Sequence, residues 1–148
     1  DQRIEARAGC SIPEIFAQGG EAAFRALEQE ETALAGACSG KILLTGGGVV
    51  TVEANYASLH QNGRIYHLLR SLDTLATDGR PLSQGADLAA MWQRRAPLYA
   101  RFRDAEADNN GTAEETAAAI WRDFCVHCGS ERSEFEHAGH PAAGDLRT

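Results

Sequence analysis

Lys41-Ile42-Leu43-Leu44-Thr45 runs directly into Gly46-Gly47-Gly48. The first five residues make an apolar run of strand length without alternation. A parallel strand buried on both faces has that pattern, although periodicity alone does not separate it from a buried helix. Three glycines in a row let backbone amides approach an anionic or hydroxylated ligand with no side chains in the way. In open α/β sheets ligands sit at the carboxyl ends of strands, where this loop would lie. A plain tight turn is the other reading of the triplet, and the residues leave both open.

Working upstream, Glu21 to Leu34 places Ala23, Phe24, Leu27 and Leu34 at helical spacing among charges, an amphipathic helix ended by Gly36 and Gly40. Ser11-Ile12-Pro13-Glu14 has the form of a capping box with proline in the first turn. It opens a short helix closed by Gly19-Gly20. Asp1 to Ala8 is helix-compatible, with Gly9 as a left-handed stop. Downstream, Glu53 to Gln61 reads as a helix broken at Asn62-Gly63, and Arg64 to Leu69 as the next strand. Ser71 to Thr77 is helix-compatible and Asp78 to Gly85 has loop chemistry. A long helix fills Asp87 to Arg103, kinked or broken at Pro97. Ala105 to Asn109 is a third strand, and Thr112-Ala113-Glu114-Glu115 caps a helix ending near Phe124. Strands alternating with helices predict an α/β domain with a parallel sheet over residues 1–124. From Cys125 to Thr148 the composition turns to Gly, Ser, Glu, His and Pro without periodicity, which predicts a flexible tail.

The 148 residues carry 14 basic and 21 acidic side chains, a formal charge of −7. An acidic chain is a poor nucleic-acid binder by phosphate neutralisation. No apolar run approaches the ~18 residues of a membrane span, and the first residues do not form a signal peptide. Four cysteines are too few for a disulfide scaffold, which points to a reducing, cytoplasmic setting. Apolar content of 43% suffices for a core.

Arg25 has two readings: a bidentate clamp for a carboxylate or phosphate, or an i, i+3 ion pair with Glu28. Arg94-Arg95 carries the same ambiguity. Arg80, before Pro81 in a loop, suits closure over phosphate, although most loop arginines are simply solvated. Cys125 and Cys128 stand at zinc-ligand spacing with His127, His137 and His140 nearby, but the second half-site spacing is not matched. An unstructured, metal-sticky tail is the competing reading. A Walker-type phosphate loop needs G-x-x-x-x-G-K-[ST] between a strand and a helix. The single lysine, Lys41, follows Gly36-Ala37-Cys38-Ser39-Gly40. That spacing is one residue short, Ile42 replaces the hydroxyl, and no helix is expected after it.

Together the motifs resemble the shikimate kinase family. Asp1-Gln2-Arg3-Ile4-Glu5 is similar to its D-x-x-I-E, and Gly9 to Phe16 to its G-x-S-I-x-E-I-F. Gly20 to Glu28 is similar to its G-E-x-x-F-R-x-x-E. Gly46-Gly47-Gly48, Arg80-Pro81-Leu82 and Arg95-Ala96-Pro97-Leu98-Tyr99 follow in the family's order. The resemblance implies ATP-dependent phosphorylation of the shikimate 3-hydroxyl in aromatic amino-acid biosynthesis, with magnesium. It implies that Asp1 hydrogen-bonds substrate hydroxyls and acts as base, and that Arg25 and Arg95 bind the shikimate carboxylate. Gly46, Gly47 and Gly48 would face the substrate, and Arg80 would be the lid arginine reaching the phosphates of the nucleotide. No residue here is assigned to the metal.

Two departures from the family stand out. The opening strand, Walker A loop, first helix and second strand expected before Asp1 are not in these residues, nor is the first acid of the family's D-x-D. Leu72 to Asp78 also lacks the arginine that many members set against adenine. The implied fold is a three-layer, P-loop-kinase-like parallel sheet without its first, central strand and its second. The family order 2-3-1-4-5 would leave strands near Ile42, Ile65 and Ala107, with polar edges unpaired. The expectation is therefore a truncated shikimate kinase, inactive and poorly folded alone unless an N-terminal P-loop segment is supplied in cis or in trans. A degenerate, non-catalytic shikimate-binding or regulatory module is the alternative, and a zinc-dependent interaction protein using the tail is a third.

Overall fold

The computed structural model describes residues 1–71 and 88–128. Among them, helix α1 (Gln2–Ala8) ends at Gly9 in the left-handed conformation that the sequence predicts, and its cap N–H bonds to the Glu5 carbonyl. Helix α2 (Ile12–Gly36) opens on the Ser11/Glu14 capping box. The Glu14 carboxylate accepts from both the Ser11 N–H and its hydroxyl, which holds it below the usual carboxylate range. Gly20 interrupts α2 at φ 66°, ψ −166°, a conformation open to glycine and costly for other residues. The bend there brings Phe16 onto Phe24, their ring centroids 5.1 Å apart. In an unbroken helix, eight residues at a rise of about 1.5 Å each would hold the two rings roughly 12 Å apart.

Two apolar clusters organise the chain. Ile4, Ile15 and Phe24 bury the contact between α1 and α2, with Ala8, Ile12, Phe16 and Leu27 around them. Outside that core, Glu31 takes Arg3 Nε at 2.7 Å and Arg7 Nε at 2.5 Å. Val49, Val50 and Phe102 form the second cluster, with Tyr56, Leu59, Leu98 and Tyr99 packed against it. These residues come from a 3-10 turn (Val49–Thr51), α3 (Ala54–His60) and α4 (Leu88–Phe102). α4 continues through Pro97 and is not broken there. The proline removes one N–H, leaving the Gln93 carbonyl without its helical partner.

β1 (Tyr66–Leu69) and β2 (Ala105–Asp108) pair in parallel, with Tyr66 opposite Ala105 and Leu69 opposite Asp108. Both lie where the pattern predicts, and as direct neighbours they agree with the expected strand order. α5 (Ala113–His127) starts at the Thr112/Glu115 capping box and runs past Phe124, so Cys125 belongs to a helix. Thr116 Oγ1 donates to the Asp108 carbonyl at 2.9 Å and ties α5 to the end of β2. The architecture is α/β, rich in helix, around a small parallel sheet.

The strand expected at Lys41–Thr45 does not form. The segment has no regular structure, and Ile42 and Leu44 are 91% and 90% exposed. A strand needs a neighbour to take its N–H and C=O groups. Among the described residues, β1 and β2 pair only with each other, and no strand pairs with this run. Beyond Ser71, the helix expected to Thr77 lies outside the described residues. So do the loop with Arg80 and Pro81, and the tail beyond Cys128 with His137 and His140.

Candidate functional site

The glycine triplet leads straight into the 3-10 turn, and every one of its carbonyls is occupied. Gly46 O accepts from Val49 N at 3.1 Å, Gly47 O from the Tyr99 hydroxyl at 2.7 Å, and Gly48 O from Thr51 N at 2.9 Å. Asn55, wholly buried, braces the turn by donating to the Val49 carbonyl at 2.9 Å. None of the three triplet N–H groups has a hydrogen-bond partner among the described residues. The loop is therefore held from its carbonyl side, with its three N–H groups unpaired among the described residues, Gly46 and Gly47 exposed and Gly48 buried.

Arg25 comes to this loop from α2. A Cβ built on Gly48 would stand 2.2 Å from Arg25 Nη2 and 2.5 Å from Nη1, so the guanidinium lies in space that only glycine leaves open. Its fork is held at both ends. Nη2 and Nε reach Glu21 Oε1 at 3.0 and 3.2 Å, and Nη1 reaches Glu28 Oε2 at 2.5 Å. Glu28 is 9% exposed at its side chain and Glu21 is 51% exposed. Both sequence readings of Arg25 are thus compatible. Buried Glu28 holds one end of the fork, and exposed Glu21 holds the other.

Tyr99 connects the loop to α4, and Arg95 stands one helical turn before it on the same face. Arg95 is half-buried and has no carboxylate partner among the described residues. Asp1 sits at the N-terminal cap of α1, exposed and without a side-chain capping bond. No hydrogen bond or ion pair joins it to Arg25 or the triplet among the described residues. Of the expected site residues, the structure brings Arg25 and Gly48 into contact and ties Gly47 to the helix bearing Arg95. Asp1 stands apart.

His67 drew no notice in the sequence. Its ring stacks on Tyr99, and burial holds it below the usual imidazole range. A lone polar ring inside the apolar run Ile65–Leu69 was the available signal. At the other end of β1, Arg64 Nε and the Tyr66 hydroxyl both donate to Asp123 Oδ2 at 2.7 Å. Burial first, and then the bond to Asp123, pushes the Tyr66 phenol up to about 12. His127 Nδ1 lies 2.8 Å from the Asp123 carbonyl. No group of three His, Cys, Asp or Glu placed to hold a metal occurs among the described residues.

The family model described as shikimate kinase matches residues 1–124. The chain belongs to the shikimate kinase family. It is 40% identical to the shikimate kinase of Pseudomonas putida over 113 residues, which is 70% of this chain and 66% of that protein. It is 37% identical to the enzyme of Thiobacillus denitrificans over 131 residues, covering 82% of this chain and 70% of the relative. Shikimate kinase from Acinetobacter baumannii, solved in complex with shikimate, superposes with a TM-score of 0.75 at 26% identity. That match covers 88% of this chain and 78% of the other. The chain thus spans just under two thirds of the length of its Pseudomonas putida relative. This shikimate kinase family member has, among its described residues, no helix long and apolar enough to cross a membrane.

Proposed function

We propose that these residues form the shikimate-binding half of a shikimate kinase, which transfers a phosphoryl group from ATP to the shikimate 3-hydroxyl. The observation that carries this reading is the row of free triplet amides with the Arg25 fork packed against Gly48. Arg25 and Arg95 bind the substrate carboxylate, and the amides of Gly46, Gly47 and Gly48 face its ring and hydroxyls. Binding replaces Glu21 on the Arg25 fork and leaves Glu28 to keep the fork planar and aimed. Asp1 hydrogen-bonds substrate hydroxyls and serves as base. Arg80 meets the nucleotide phosphates.

ATP and magnesium are the family's co-reactants, and the described residues do not fit them. Lys41 is exposed in irregular chain, followed by Ile42 where a phosphate loop needs a hydroxyl and a helix. The chemistry of these residues is therefore confined to gripping and orienting the acceptor, which is a large part of phosphoryl-transfer catalysis.

The test is calorimetric titration of the 148-residue chain with shikimate, followed by an assay with ATP and magnesium. Binding that is lost in Arg25→Lys, without turnover, is the expected result for these residues alone. Failure of the wild-type chain to bind shikimate overturns the substrate assignment. Turnover at the family's rate, roughly 1–100 per second for kinases, overturns the confinement to the acceptor half.

A further inference from the structure

The Tyr99 hydroxyl that holds the Gly47 carbonyl belongs to a ring that is itself held. His67, in β1, stacks on Tyr99 at a centroid separation of 4.6 Å and an interplanar angle of 21°. Trp92 closes the cluster, 5.8 Å from His67 and 5.8 Å from Tyr99. Trp92 and Tyr99 are seven residues apart in α4 and share a face, so one imidazole meets both. His67 Nδ1 is buried with no hydrogen-bond partner among the described residues. A neutral ring protonated on Nε2 tolerates that position. An imidazolium does not, because it places an N–H where nothing accepts it.

The charged groups around the ring offer it no counter-ion of its own. Glu106 stands opposite His67 in β2 and is engaged by Arg103, just beyond α4, at 3.0 Å. Arg103 opposes protonation and Glu106 favours it, while burial outweighs both in disfavouring the charged ring. Among the described residues, the titratable group whose ring stacks on His67 is the Tyr99 phenol.

We propose that His67 is a positioning residue for the substrate half-site: its neutral ring seats Tyr99, Tyr99 holds the Gly47 carbonyl, and protonation of His67 releases the triplet. The consequence for shikimate rests on the function proposed above, whereas the coupling between His67 and the glycines does not. Acidification turns the ring toward water, removes the surface on which Tyr99 stacks, and frees the loop that aims the amides.

The coupling is read by nuclear magnetic resonance on the ligand-free 148-residue chain, titrated from about pH 7.5 to about pH 5, across the histidine range. The amide resonances of Gly46, Gly47 and Gly48 should shift with the midpoint of the His67 ring protons. In His67→Phe they should stay flat, and in Tyr99→Phe they should no longer follow His67. Glycines that ignore the His67 midpoint, or follow it equally well in Tyr99→Phe, overturn the proposal. Shikimate titrations supply the second arm, since an ordinary carboxylate with a pKa of about 4 stays ionised at both pH values. Wild type should bind about tenfold more weakly at the lower pH, the scale set by an unpaired buried donor. His67→Phe should bind equally at both. Equal pH dependence in the two proteins overturns the effect on the substrate. Absence of shikimate binding at either pH overturns the binding function and that effect with it, and the glycine titration still decides the coupling.

Discussion

Gly48 and the guanidinium of Arg25 occupy touching space, so that a single added methyl group at Gly48 would stand 2.2 Å from Nη2. Gly48 has φ −88°, an ordinary value, so glycine is required here by the close approach and not by backbone conformation. Gly46 is different, because a Cβ there would meet Glu28 Oε1 at 3.7 Å, a normal contact. Gly48→Ala should therefore displace the arginine fork while costing little stability, about 1 kcal/mol, because the far end of a long side chain can move. Shikimate affinity should fall about tenfold in Gly48→Ala and much less in Gly46→Ala, as read by calorimetry. Equal effects would detach Arg25 from the ligand.

Arg25→Lys keeps the charge and the ion pair with buried Glu28, so the chain should fold. It loses the planar fork that reaches two partners at once. Shikimate binding should weaken by about tenfold or more, the worth of a charge-assisted hydrogen bond. Wild-type affinity in the lysine variant would show that charge alone suffices.

Asp123 receives hydrogen bonds from Arg64 and then Tyr66, and these hold its carboxyl below the ordinary 3.8. The folded chain thus binds this proton less tightly than the unfolded chain. The resulting stability is complete above the ordinary carboxylate value and is lost as pH falls through the lower folded one. Asp123→Asn should flatten the acid limb of the melting temperature against pH, and should lower the melting temperature at neutral pH. An unchanged acid limb would mean that the Arg64–Asp123–Tyr66 contact is open in solution. In the wild type the Tyr66 phenol should ionise near 12, visible in the tyrosinate absorbance.

Amides of Ile42, Leu43 and Leu44 should exchange with solvent without protection, since the segment is exposed and lies beside no strand. Protection there comparable to Leu68 in β1 would show the run paired as a strand after all.

Several local signals in the sequence match the structure where it depends on neighbours in the chain. The Ser11/Glu14 and Thr112/Glu115 capping boxes, the left-handed stop at Gly9 and the break at Gly20 each depend on a few consecutive residues. β1 was legible as an apolar run and β2 as a short stretch set between two helices, in the order of a parallel crossover. Lys41–Thr45 was misread for the opposite reason. Its composition matches a buried strand, but strand formation is a property of the pair, and pairing is not written in one segment.

The site divides along the same line. Sequence marked Arg25, the glycine triplet and Arg95 by residue type and order, because an arginine fork and a bare backbone are chemically distinctive wherever they fall. It could not say that Arg25 touches Gly48 or that the Tyr99 hydroxyl holds the Gly47 carbonyl. Nor could it set His67 against Tyr99 across the space between β1 and α4. Those facts are distances between residues far apart in the chain, and only packing brings such residues within the few ångströms over which hydrogen bonds and ring contacts act.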